Sequence, residues 1–334
     1  MKVFVTGGTG FIGQPLTRML LQRGWDVTVL VRKPESAEAR AIQSLGAQLA
    51  HGDITDCESM REPMTGAHAV IHNAAWYEFG ITRQAQNRMR TINVRGTENA
   101  LGLALELGIP KIVYTSTILA FGPTGDTLAD ETFQRRSPPL SCYERTKTEA
   151  YELAVALQKR GAPIVIACPA GVIGPGDRSA LGYLVRMYVR GFLPPVLWEQ
   201  NGRRAHVYVE DAAEGILRCL EYGKAGETYI LSNGVMRHRD MIRLWKQTPG
   251  GFKVTLFWMP YPIWRCSSTR LPKSSSDSSV CQWYFAVNLP SPPLRAGSFQ
   301  PPKQNGNWGC TFAAWNRPGS IHWKESAHWP IRTR

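Results

Sequence analysis

The feature that most constrains the fold is a run of glycines between the first strand-like segment and the first helix-like segment. Gly7, Gly10 and Gly13 follow the apolar run Lys2–Thr6 and lead into Gln14–Arg23, which has helical periodicity. A tight strand-to-helix turn requires a residue that tolerates positive φ, and close helix–strand packing requires positions without side chains. The first N–H groups of such a helix bind phosphate. The pattern therefore predicts a dinucleotide-binding turn, with contacts from Thr6, Gly7, Gly10, Phe11, Ile12 and Gly13.

Short apolar runs alternate with helix-like stretches from residue 1 to about residue 248. Several of the runs lack polar alternation, as in parallel strands that are buried on both faces. Among the helices, Gln84–Leu107 is ended by Gly108, and Ser141–Arg160 opens with a capping box completed by Glu144. The alternation predicts an α/β fold with a doubly wound parallel sheet of the Rossmann type. The predicted strands are Lys2–Thr6, Val27–Val31, Gln48–Ala50, Ala69–Asn73, Lys111–Ser116, Ile164–Pro169 and Thr228–Leu231.

The character of the sequence changes near Gly250. Residues 1–250 are predicted to form the Rossmann domain together with a small, incomplete substrate lobe at about 170–250. Residues 251–334 are rich in Ser, Pro and Trp, with seven of the 11 tryptophans beyond residue 255, and they lack helical periodicity. Two interpretations of this irregular tail stay open: a poorly ordered natural extension, or translation in a shifted reading frame. The abundance of Trp and Cys favours the second.

The charge and the cysteines bear on the class of protein. The net charge is +13, but residues 255–334 carry nine Lys or Arg against only Asp277 and Glu325, so we expect no nucleic-acid partner. No apolar run approaches the roughly 20 residues needed to span a membrane. The seven cysteines form no CxxC pair, which favours reduced thiols and a cytoplasmic location. His206 and His238 lack metal-ligand spacing, and no metal is expected.

The end of the second predicted strand bears on the choice of cofactor. An acidic residue there would bind the ribose diol of the adenosine and favour NAD. Arg32 and Lys33 occupy this position instead, and a guanidinium can accept a 2′-phosphate. The sequence therefore predicts NADP as the cofactor, with NAD as the alternative.

A candidate acid–base pair lies in the helix predicted at Ser141–Arg160. Tyr143 and Lys147 are four residues apart, which places them on one face. A free tyrosine has a pKa of about 10, and a nearby ammonium stabilises the phenolate and lowers that pKa. Ser116 and Thr117 lie at the carboxyl end of a predicted strand, where ligands of open parallel sheets bind. Together these residues predict a proton-transfer site with a hydroxyl that can hold a substrate oxygen.

In the order and spacing of these motifs, residues 1 to about 248 resemble the extended short-chain dehydrogenases/reductases of the NAD-dependent epimerase/dehydratase superfamily. The resemblance is strongest to dihydroflavonol reductase-like and hydroxysteroid dehydrogenase-like members. The motifs that carry it are Thr6–Gly13, Gly52–Asp53, His72–Ala75, Asn93–Asn99, Thr115–Thr117, Tyr143-x-x-x-Lys147, Pro169–Gly174 and Val209–Asp211.

The resemblance implies roles for the matching residues. Tyr143 would be the acid–base residue, and Lys147 would lower its pKa and contact the nicotinamide ribose. Thr117 would polarise the substrate carbonyl, with Ser116 as the alternative, and Asn93 would support Lys147 through the long helix. Further contacts with the cofactor are implied for Asp53, Ile54, Asn73, Ala74, Ala75 and Pro169, besides Tyr143 and Lys147 themselves.

Three functions remain open at this point. The first is an NADP-dependent oxidoreductase that acts on a small-molecule ketone, aldehyde or secondary alcohol. The second is a nucleotide-sugar epimerase or dehydratase, although Gly171 stands where such members usually carry an asparagine. The third is a non-catalytic NAD(P)-binding protein with a degenerate substrate lobe, which the atypical tail favours.

The aromatic residues that follow the cofactor-side motifs are candidates for the substrate side of the site. They are Trp76, Tyr77, Phe79, Phe121 and Trp198. The resemblance also suggests a homodimer, by analogy alone, through the helices at Gln84–Leu107 and Ser141–Arg160.

Overall fold

The alternating strands and helices form a parallel sheet that has helices on both faces. The computed structural model describes residues 1–79, 81–125, 127–192, 196–198, 200–247 and 257–259, and for 196–198 and 257–259 it describes the backbone alone. The strands are β1 (Lys2–Thr6), β2 (Asp26–Val31), β3 (Gln48–His51), β4 (Ala69–His72), β5 (Ile112–Thr115), β6 (Ile164–Pro169), β7 (Gly171–Ile173), β8 (Val196–Trp198), β9 (Arg203–Tyr208), β10 (Thr228–Leu231), β11 (Gly234–Arg237) and β12 (Phe257–Met259).

The helices connect these strands. They are α1 (Gly13–Gln22), α2 (Ala37–Ser44), α3 (Glu58–Met64), α4 (Arg83–Arg90), α5 (Gly96–Glu106), α6 (Cys142–Lys159), α7 (Ala180–Val189), α8 (Val209–Tyr222) and α9 (His238–Gln247). A π-helical segment at Thr91–Arg95 joins α4 to α5, and a 3-10 turn at Ile118–Phe121 follows β5.

The strand order of the main sheet locates the ligand crevice. Within the described residues the order is β10-β6-β5-β4-β1-β2-β3, and all neighbouring strands are parallel. The connections leave β1 in one direction toward β2 and β3, then return to β4 on its other side. The carboxyl ends of β1 and β4, at the paired residues Thr6 and His72, therefore form the switch point where ligands of such sheets bind. The predicted Rossmann-type sheet is confirmed.

Two hydrophobic clusters cover the two faces of this sheet. Val3 and Val5 of β1 belong to one cluster together with Leu16 of α1, whereas Phe4 belongs to the other cluster with Leu101 of α5. Successive side chains of a strand point to opposite faces, so this division follows from the strand geometry. The residues of β4, β5 and β6 are all buried, as their mostly apolar sequences predict.

The N-terminal end of α6 follows the predicted capping, with one difference. Ser141 Oγ accepts a hydrogen bond of 3.1 Å from Glu144 N, as expected. The carboxylate of Glu144 reaches back to Leu140 N at 2.9 Å rather than to Ser141 N. The reason is that the guanidinium of Arg135 binds the other oxygen of the same carboxylate at 2.6 Å.

Beyond β6, short strands form a second sheet in the order β11-β9-β7, with β11 antiparallel and β7 parallel to β9. A parallel pair is also formed by β8 and β12. The expectations for residues 251–334 lie outside the described residues, apart from the backbone of β12. The side chain of Trp198 also lies outside them.

Candidate active site

The glycine turn between β1 and α1 is built as the sequence predicts. Gly7 has a φ of 71°, and a Cβ added there would lie 2.7 Å from the Cα of Ala74. A Cβ at Gly13 would lie 2.0 Å from the carbonyl oxygen of Gly7, which excludes any side chain. Gly10 N donates to Gly7 O at 3.0 Å and closes the turn. The absence of side chains thus lets the turn fit between β4 and the start of α1.

The start of α1 is suited to an anion. No described side chain caps this helix, and its first turn contains no acidic residue. Phe11 and Ile12 are half-buried beside the turn. The N-terminal N–H groups of a helix carry partial positive charge and bind phosphate when no side chain occupies them.

Arg32 and Lys33 follow directly after β2, whose Leu30 pairs with Thr6 of β1. Both side chains are exposed, and neither forms a salt bridge with a described residue. The two cations therefore stand at the carboxyl edge of the sheet, one strand away from the glycine turn.

A second loop on the cofactor side follows β3. Asp53 Oδ1 accepts hydrogen bonds of 2.9 Å from the backbone and the hydroxyl of Thr55. The side chain of Ile54 is buried against Gly96, where an added Cβ would lie 2.6 Å from Ile54 Cδ1. Asn99 Nδ2 donates to Ile54 O at 2.9 Å. Ile54 thus anchors the loop in the core, while the carboxylate of Asp53 lies toward its surface.

The residues after β4 form the wall opposite the turn. Asn73 N donates to Thr6 O at 3.2 Å, and Asn73 Nδ2 donates to Gly7 O at 3.4 Å. Ala74 N donates to Thr6 Oγ1 at 3.3 Å. Ala74 is half-buried and Ala75 is exposed. These predicted cofactor-side residues are therefore brought together at the switch point.

The buried imidazole of His72 has a fixed tautomer. Thr97 Oγ1 donates its hydrogen to Asn93 O at 2.7 Å, so it accepts from His72 Nε2–H at 3.0 Å. His72 Nδ1 is then the acceptor for the hydroxyl of Thr6 at 2.8 Å. Burial, with a smaller effect of the charge on Lys147, lowers the pKa of His72 to about 3. The ring is therefore neutral near pH 7 and carries its proton on Nε2.

Asn93 links the loop after β4 to α6, and it lies in the π-helical segment. Its Oδ1 accepts from Trp76 N at 2.7 Å, and its Nδ2 donates to Trp76 O and to Thr146 Oγ1, both at 3.0 Å. The hydroxyl of Thr146 donates in turn to Tyr143 O at 2.9 Å. Thr146 precedes Lys147 in α6. Asn93 therefore contacts the helix next to Lys147, where the resemblance implied that it would act. π-Helical segments are often found at functional sites.

Lys147 is buried at the carboxyl end of β5, with 2% of its surface exposed. Its Nζ donates to Tyr114 OH at 3.1 Å and to Thr115 O at 2.9 Å. Burial lowers the pKa of Lys147 to about 8. Tyr114 was not among the predicted site residues, although its position after Ile112 and Val113 and two residues before Ser116 could have indicated a buried hydroxyl.

Tyr143 is buried under two aromatic residues from the loop after β4. Its ring makes edge contacts with Tyr77 and Phe79, at centroid distances of 4.7 and 5.9 Å. Burial raises the pKa of Tyr143, and the neighbouring Tyr77 and Tyr114 raise it further. This direction is opposite to the lowering that was expected from Lys147, because the ammonium of Lys147 bonds to Tyr114 and to a backbone carbonyl instead.

Three consecutive hydroxyl residues lie at the end of β5, beside Lys147. Thr115 Oγ1 and Ser116 Oγ are buried and have no hydrogen-bond partner among the described residues. Thr117 is half-buried, and its Oγ1 accepts from Leu119 N at 3.3 Å, so its hydrogen stays available to an acceptor. Pro169 ends the neighbouring strand β6 and is also buried.

The predicted substrate-side aromatics separate into two groups. Tyr77 and Phe79 contact Tyr143, and Trp76 bonds to Glu78 through Nε1 at 2.9 Å. Phe121 instead is buried in the core, with its ring 5.3 Å from that of Tyr151, so it does not line the site as expected. The reason is that the 3-10 turn directs this side chain toward α6.

Two charged residues beyond β6 that the sequence prediction missed act on Tyr77. Burial raises the pKa of Tyr77 to about 12, with a further increase from Asp177 and an opposing effect of Arg204. Asp177 precedes α7, and Arg204 lies in β9, where its Nε donates to His238 Nε2 at 3.0 Å. Charged groups before α7 and in β9 therefore lie close enough to Tyr77 to affect its pKa.

Two general properties concern the part of the chain that the structure describes. None of its helices combines the length and the apolar composition needed to cross a membrane. It also contains no group of three or more His, Cys, Asp or Glu side chains that could hold a metal ion.

Known proteins are similar to this chain in sequence and in fold. A provisionally named dihydroflavonol 4-reductase of Synechocystis sp. is 32% identical over 271 residues, which are 77% of this chain and 76% of the relative. A 4-hydroxy-2-methyl-3-oxo-4-farnesyl-3,4-dihydroquinoline-1-oxide ketoreductase of Stigmatella aurantiaca is 31% identical over 75% of this chain and 74% of its own.

The fold is also that of a dTDP-glucose 4,6-dehydratase from Streptomyces venezuelae, solved with NAD bound. Its TM-score is 0.67 at 24% identity, over 78% of this chain and 84% of that chain. At this identity the likeness concerns the fold alone. Residues 3–232 match the NAD dependent epimerase/dehydratase family. The chain therefore belongs to that family and is an NAD(P)-dependent oxidoreductase of the epimerase/dehydratase superfamily.

Proposed function

We propose that the chain is an NADP-dependent oxidoreductase that reduces a ketone or aldehyde, or oxidises a secondary alcohol. The observation that carries the proposal is the position of Lys147. Its ammonium is buried at the carboxyl end of β5, one turn of α6 away from Tyr143 and beside the hydroxyl residues Thr115–Thr117. A phenol, an ammonium and free hydroxyls at this edge can manage the proton and the charge of a carbonyl group.

The described residues fit a nicotinamide dinucleotide. The turn at Gly7, Gly10 and Gly13 has no side chains at these positions, and α1 begins without a cap from a described side chain. Both features suit a pyrophosphate. When bound, the cofactor supplies or accepts the hydride. Thr6, Asn73, Ala74 and Ala75 would line its path between the turn and Lys147, and Pro169 would border the nicotinamide.

Tyr143 is suited to donate the proton in the reductive direction. Burial raises its pKa, so the phenol is protonated near pH 7 and can give its proton to a carbonyl oxygen. The ammonium of Lys147, one turn further along α6, would stabilise the charge that then develops on the phenol oxygen, although its hydrogen bonds in this structure go to Tyr114 and Thr115. Thr117 would hold the same carbonyl oxygen, with Ser116 as its alternative. Asn93 would keep α6 in place through Thr146.

The preference for NADP rests on Arg32 and Lys33. Both are exposed at the end of β2 and form no salt bridge with a described residue, so they are available to a 2′-phosphate. Asp53 and the backbone at Ile54, in the loop after β3, would contact the adenine.

For the substrate, we propose a carbonyl group on an apolar, ring-containing molecule. The rings of Tyr77 and Phe79 meet the ring of Tyr143 edge-on, so a substrate that reaches the phenol must pass an aromatic wall. Two relatives are named as reductases of ring systems, a dihydroflavonol and a farnesylated quinoline oxide. The wall would exclude water and orient such a ring.

A nucleotide sugar is disfavoured by the space at Gly171. A Cβ at this residue would lie 3.3 Å from Ala205 O and 3.3 Å from His206 Nδ1, closer than an ordinary contact. The asparagine that nucleotide-sugar members usually carry here would therefore need the backbone at Ala205 and the ring of His206 to give way by a few tenths of an ångström. A substrate that does not need this asparagine fits the described geometry better.

The test compares NADPH with NADH in binding and in turnover of a panel of cyclic ketones, aldehydes and UDP- or dTDP-sugars. We expect tighter NADPH binding and turnover of ring ketones. Tyr143→Phe should lower kcat by about 100-fold or more and leave NADPH affinity within about twofold, because it removes only the proton donor.

Three results would contradict the proposed function. Turnover of a nucleotide sugar without net oxidation of the cofactor would replace the proposal with the epimerase or dehydratase alternative. NADPH binding without turnover of any carbonyl compound would favour a non-catalytic role. Full activity of Tyr143→Phe would refute the assigned acid–base residue.

A further inference from the structure

Arg135 lies in the segment between the 3-10 turn and α6, and its guanidinium contacts both. Its Nε donates to Ala120 O at 3.2 Å, and one terminal nitrogen donates to Leu119 O and, at 2.6 Å, to Glu144 Oε1. The other terminal nitrogen donates to Ser137 O at 3.0 Å. One planar group therefore binds two carbonyls of the turn and a carboxylate of α6 at the same time.

Glu144 is bound on its other side as well. Its Oε2 accepts from Leu140 N at 2.9 Å, and its backbone N–H donates to Ser141 Oγ. The side chains of Arg135 and Glu144 are 13% and 7% exposed. Such a buried pair is held in one geometry by its hydrogen bonds, and removal of one partner leaves an unpaired buried charge.

Thr117 is the N-terminal cap of the 3-10 turn that Arg135 binds. Ala120 N donates to Thr117 O at 3.1 Å, and Gly122 N donates to Leu119 O at 3.2 Å. Gly122 has a φ of 79°, and a Cβ there would lie 3.1 Å from the Cζ of Arg135. The guanidinium thus lies directly against the end of the turn, and glycine satisfies both the backbone conformation and the close approach.

We infer that Arg135 and Glu144 are a positioning pair that fixes the hydroxyl of Thr117 relative to the phenol of Tyr143. Thr117 opens the turn whose carbonyls Arg135 binds, and Tyr143 immediately precedes Glu144 in α6. A shift of either element changes the distance between the group that polarises the carbonyl and the group that gives the proton. What the two groups do in turnover rests on the proposed function, whereas the link between the two elements does not.

Two conservative variants and one control test this inference. Arg135→Lys keeps the charge but cannot reach the carbonyls and the carboxylate together. Glu144→Gln keeps an acceptor for Leu140 N but removes the charge. Glu149→Gln is the matched control on α6, because Glu149 pairs with Arg90 at 2.9 Å in an exposed ion pair with side-chain exposures of 32% and 61%.

We expect kcat for carbonyl reduction to fall about 10- to 100-fold in both variants, since a misplacement of about 1 Å has effects of this size. KM for NADPH should stay within about twofold, and the control should keep both constants. A purely structural role would instead lower the unfolding temperature and the fraction of active enzyme, without this split between kcat and KM.

The double variant decides whether the pair acts through Thr117. In a Thr117→Ala background, Arg135→Lys should lower kcat no further, because the hydroxyl that it positions is already gone. Multiplied effects of the two substitutions would overturn the inference.

Amide hydrogen exchange gives a readout that needs no turnover. In Arg135→Lys the amides of Ala120 and Gly122 should exchange faster, while those of Ala150 and Ala154 in α6 keep their protection. Unchanged exchange at Ala120 and Gly122 would overturn the inference, even if kcat falls. Lack of wild-type activity on every carbonyl compound would refute the proposed function alone, since the exchange data still decide whether the pair holds the turn.

Discussion

The ammonium of Lys147 donates a hydrogen bond of 3.1 Å to the hydroxyl of Tyr114, and its nitrogen lies 4.8 Å from the centroid of the same ring. Both residues are buried, one in α6 and the other in β5. The second acceptor of the ammonium is the carbonyl of Thr115. A buried cation with two acceptors among the described residues depends strongly on each of them.

Tyr114→Phe should therefore lower the pKa of Lys147 below its value of about 8. A hydrogen bond from a charged group is worth about 1.5–3 kcal/mol, which corresponds to about one to two pKa units. We expect kcat for carbonyl reduction to fall about fivefold to 50-fold at pH 8 and at most about twofold at pH 6, where at least half of the ammonium is retained. The measurement is a pH profile of kcat, with the exposed Tyr222→Phe as control. An equal loss at both pH values would contradict the prediction.

Lys147→Met should abolish turnover and change how stability depends on pH. The pKa of Lys147 is lowered from 10.5 to about 8, so between these values the unfolded chain binds more protons than the folded chain. Stability of the wild type therefore rises with pH in this window, by about 1.4 kcal/mol per unit. Relative to Lys147→Met, the wild type should gain about 2 kcal/mol between pH 8 and pH 9.5. Urea unfolding at both pH values tests this, with the exposed Lys159→Met as control. A constant difference would contradict it.

His72 should make the protein sensitive to acid. Its pKa is lowered from 6.5 to about 3, so the stability that depends on the neutral ring is complete above pH 6.5 and is lost as the pH falls toward 3. His72→Gln should be less stable than the wild type at pH 7, because the hydroxyls of Thr6 and Thr97 lose their partner. The difference should shrink by about 2 kcal/mol at pH 5. Denaturant unfolding at the two pH values measures it, and exposed His51→Gln is the control. If the difference does not shrink, the ring is not buried as a neutral group.

Arg32→Asp should reverse the preference between cofactors. The change removes a cation that is available to the 2′-phosphate and adds a repulsive charge, so NADPH affinity should fall about 10- to 100-fold. NADH affinity should stay the same or rise, because an acid at this position can bind the ribose diol. Fluorescence titration with both nucleotides measures the effect. Arg160→Asp, an exposed change of equal charge after α6, should alter neither affinity. Unchanged NADPH affinity in Arg32→Asp would refute the proposed NADP preference.

The positions of the strands could be predicted closely from the sequence. Lys2–Thr6, Ile164–Pro169 and Thr228–Leu231 are strands with the predicted bounds. The other predicted strands differ by one residue at one end, or at both ends for Lys111–Ser116. The reason is that parallel strands buried on both faces need uninterrupted apolar runs, and glycine-containing segments end them.

The details of the site depend on interactions that sequence periodicity does not contain. The helix predicted at Gln84–Leu107 contains a π-helical segment, which turns Asn93 toward Trp76 and Thr146. Phe121 was expected at the substrate side, yet the 3-10 turn directs it into the core beside Tyr151. In both cases the local backbone departs from the regular helix or strand period, so spacing alone could not give the direction of the side chain.

The role of Tyr114 was missed for a different reason. Strand patterns indicate which residues are buried, but they do not indicate which buried hydroxyl meets a cation from a helix 33 positions later. The effect of Lys147 on Tyr143 was expected from their helical spacing, whereas burial and the partners of the ammonium set the direction of both pKa shifts. The directions of the pKa shifts of Tyr143 and Lys147 could therefore be obtained only from the three-dimensional structure.

The chain passes several times between the main sheet or its helices and the second sheet, and the connectors are very short. Only Ala170 separates β6 from β7, no residue separates β9 from α8, and two residues separate β10 from β11. Domain closure about a hinge needs a few residues that can absorb large changes of φ and ψ. These connectors offer almost none, so the lobe and the main sheet should move as one piece. Entry of a substrate would then be gated by loop rearrangement at the aromatic wall, and an exchange of the lobe between relatives would have to preserve three junctions at once.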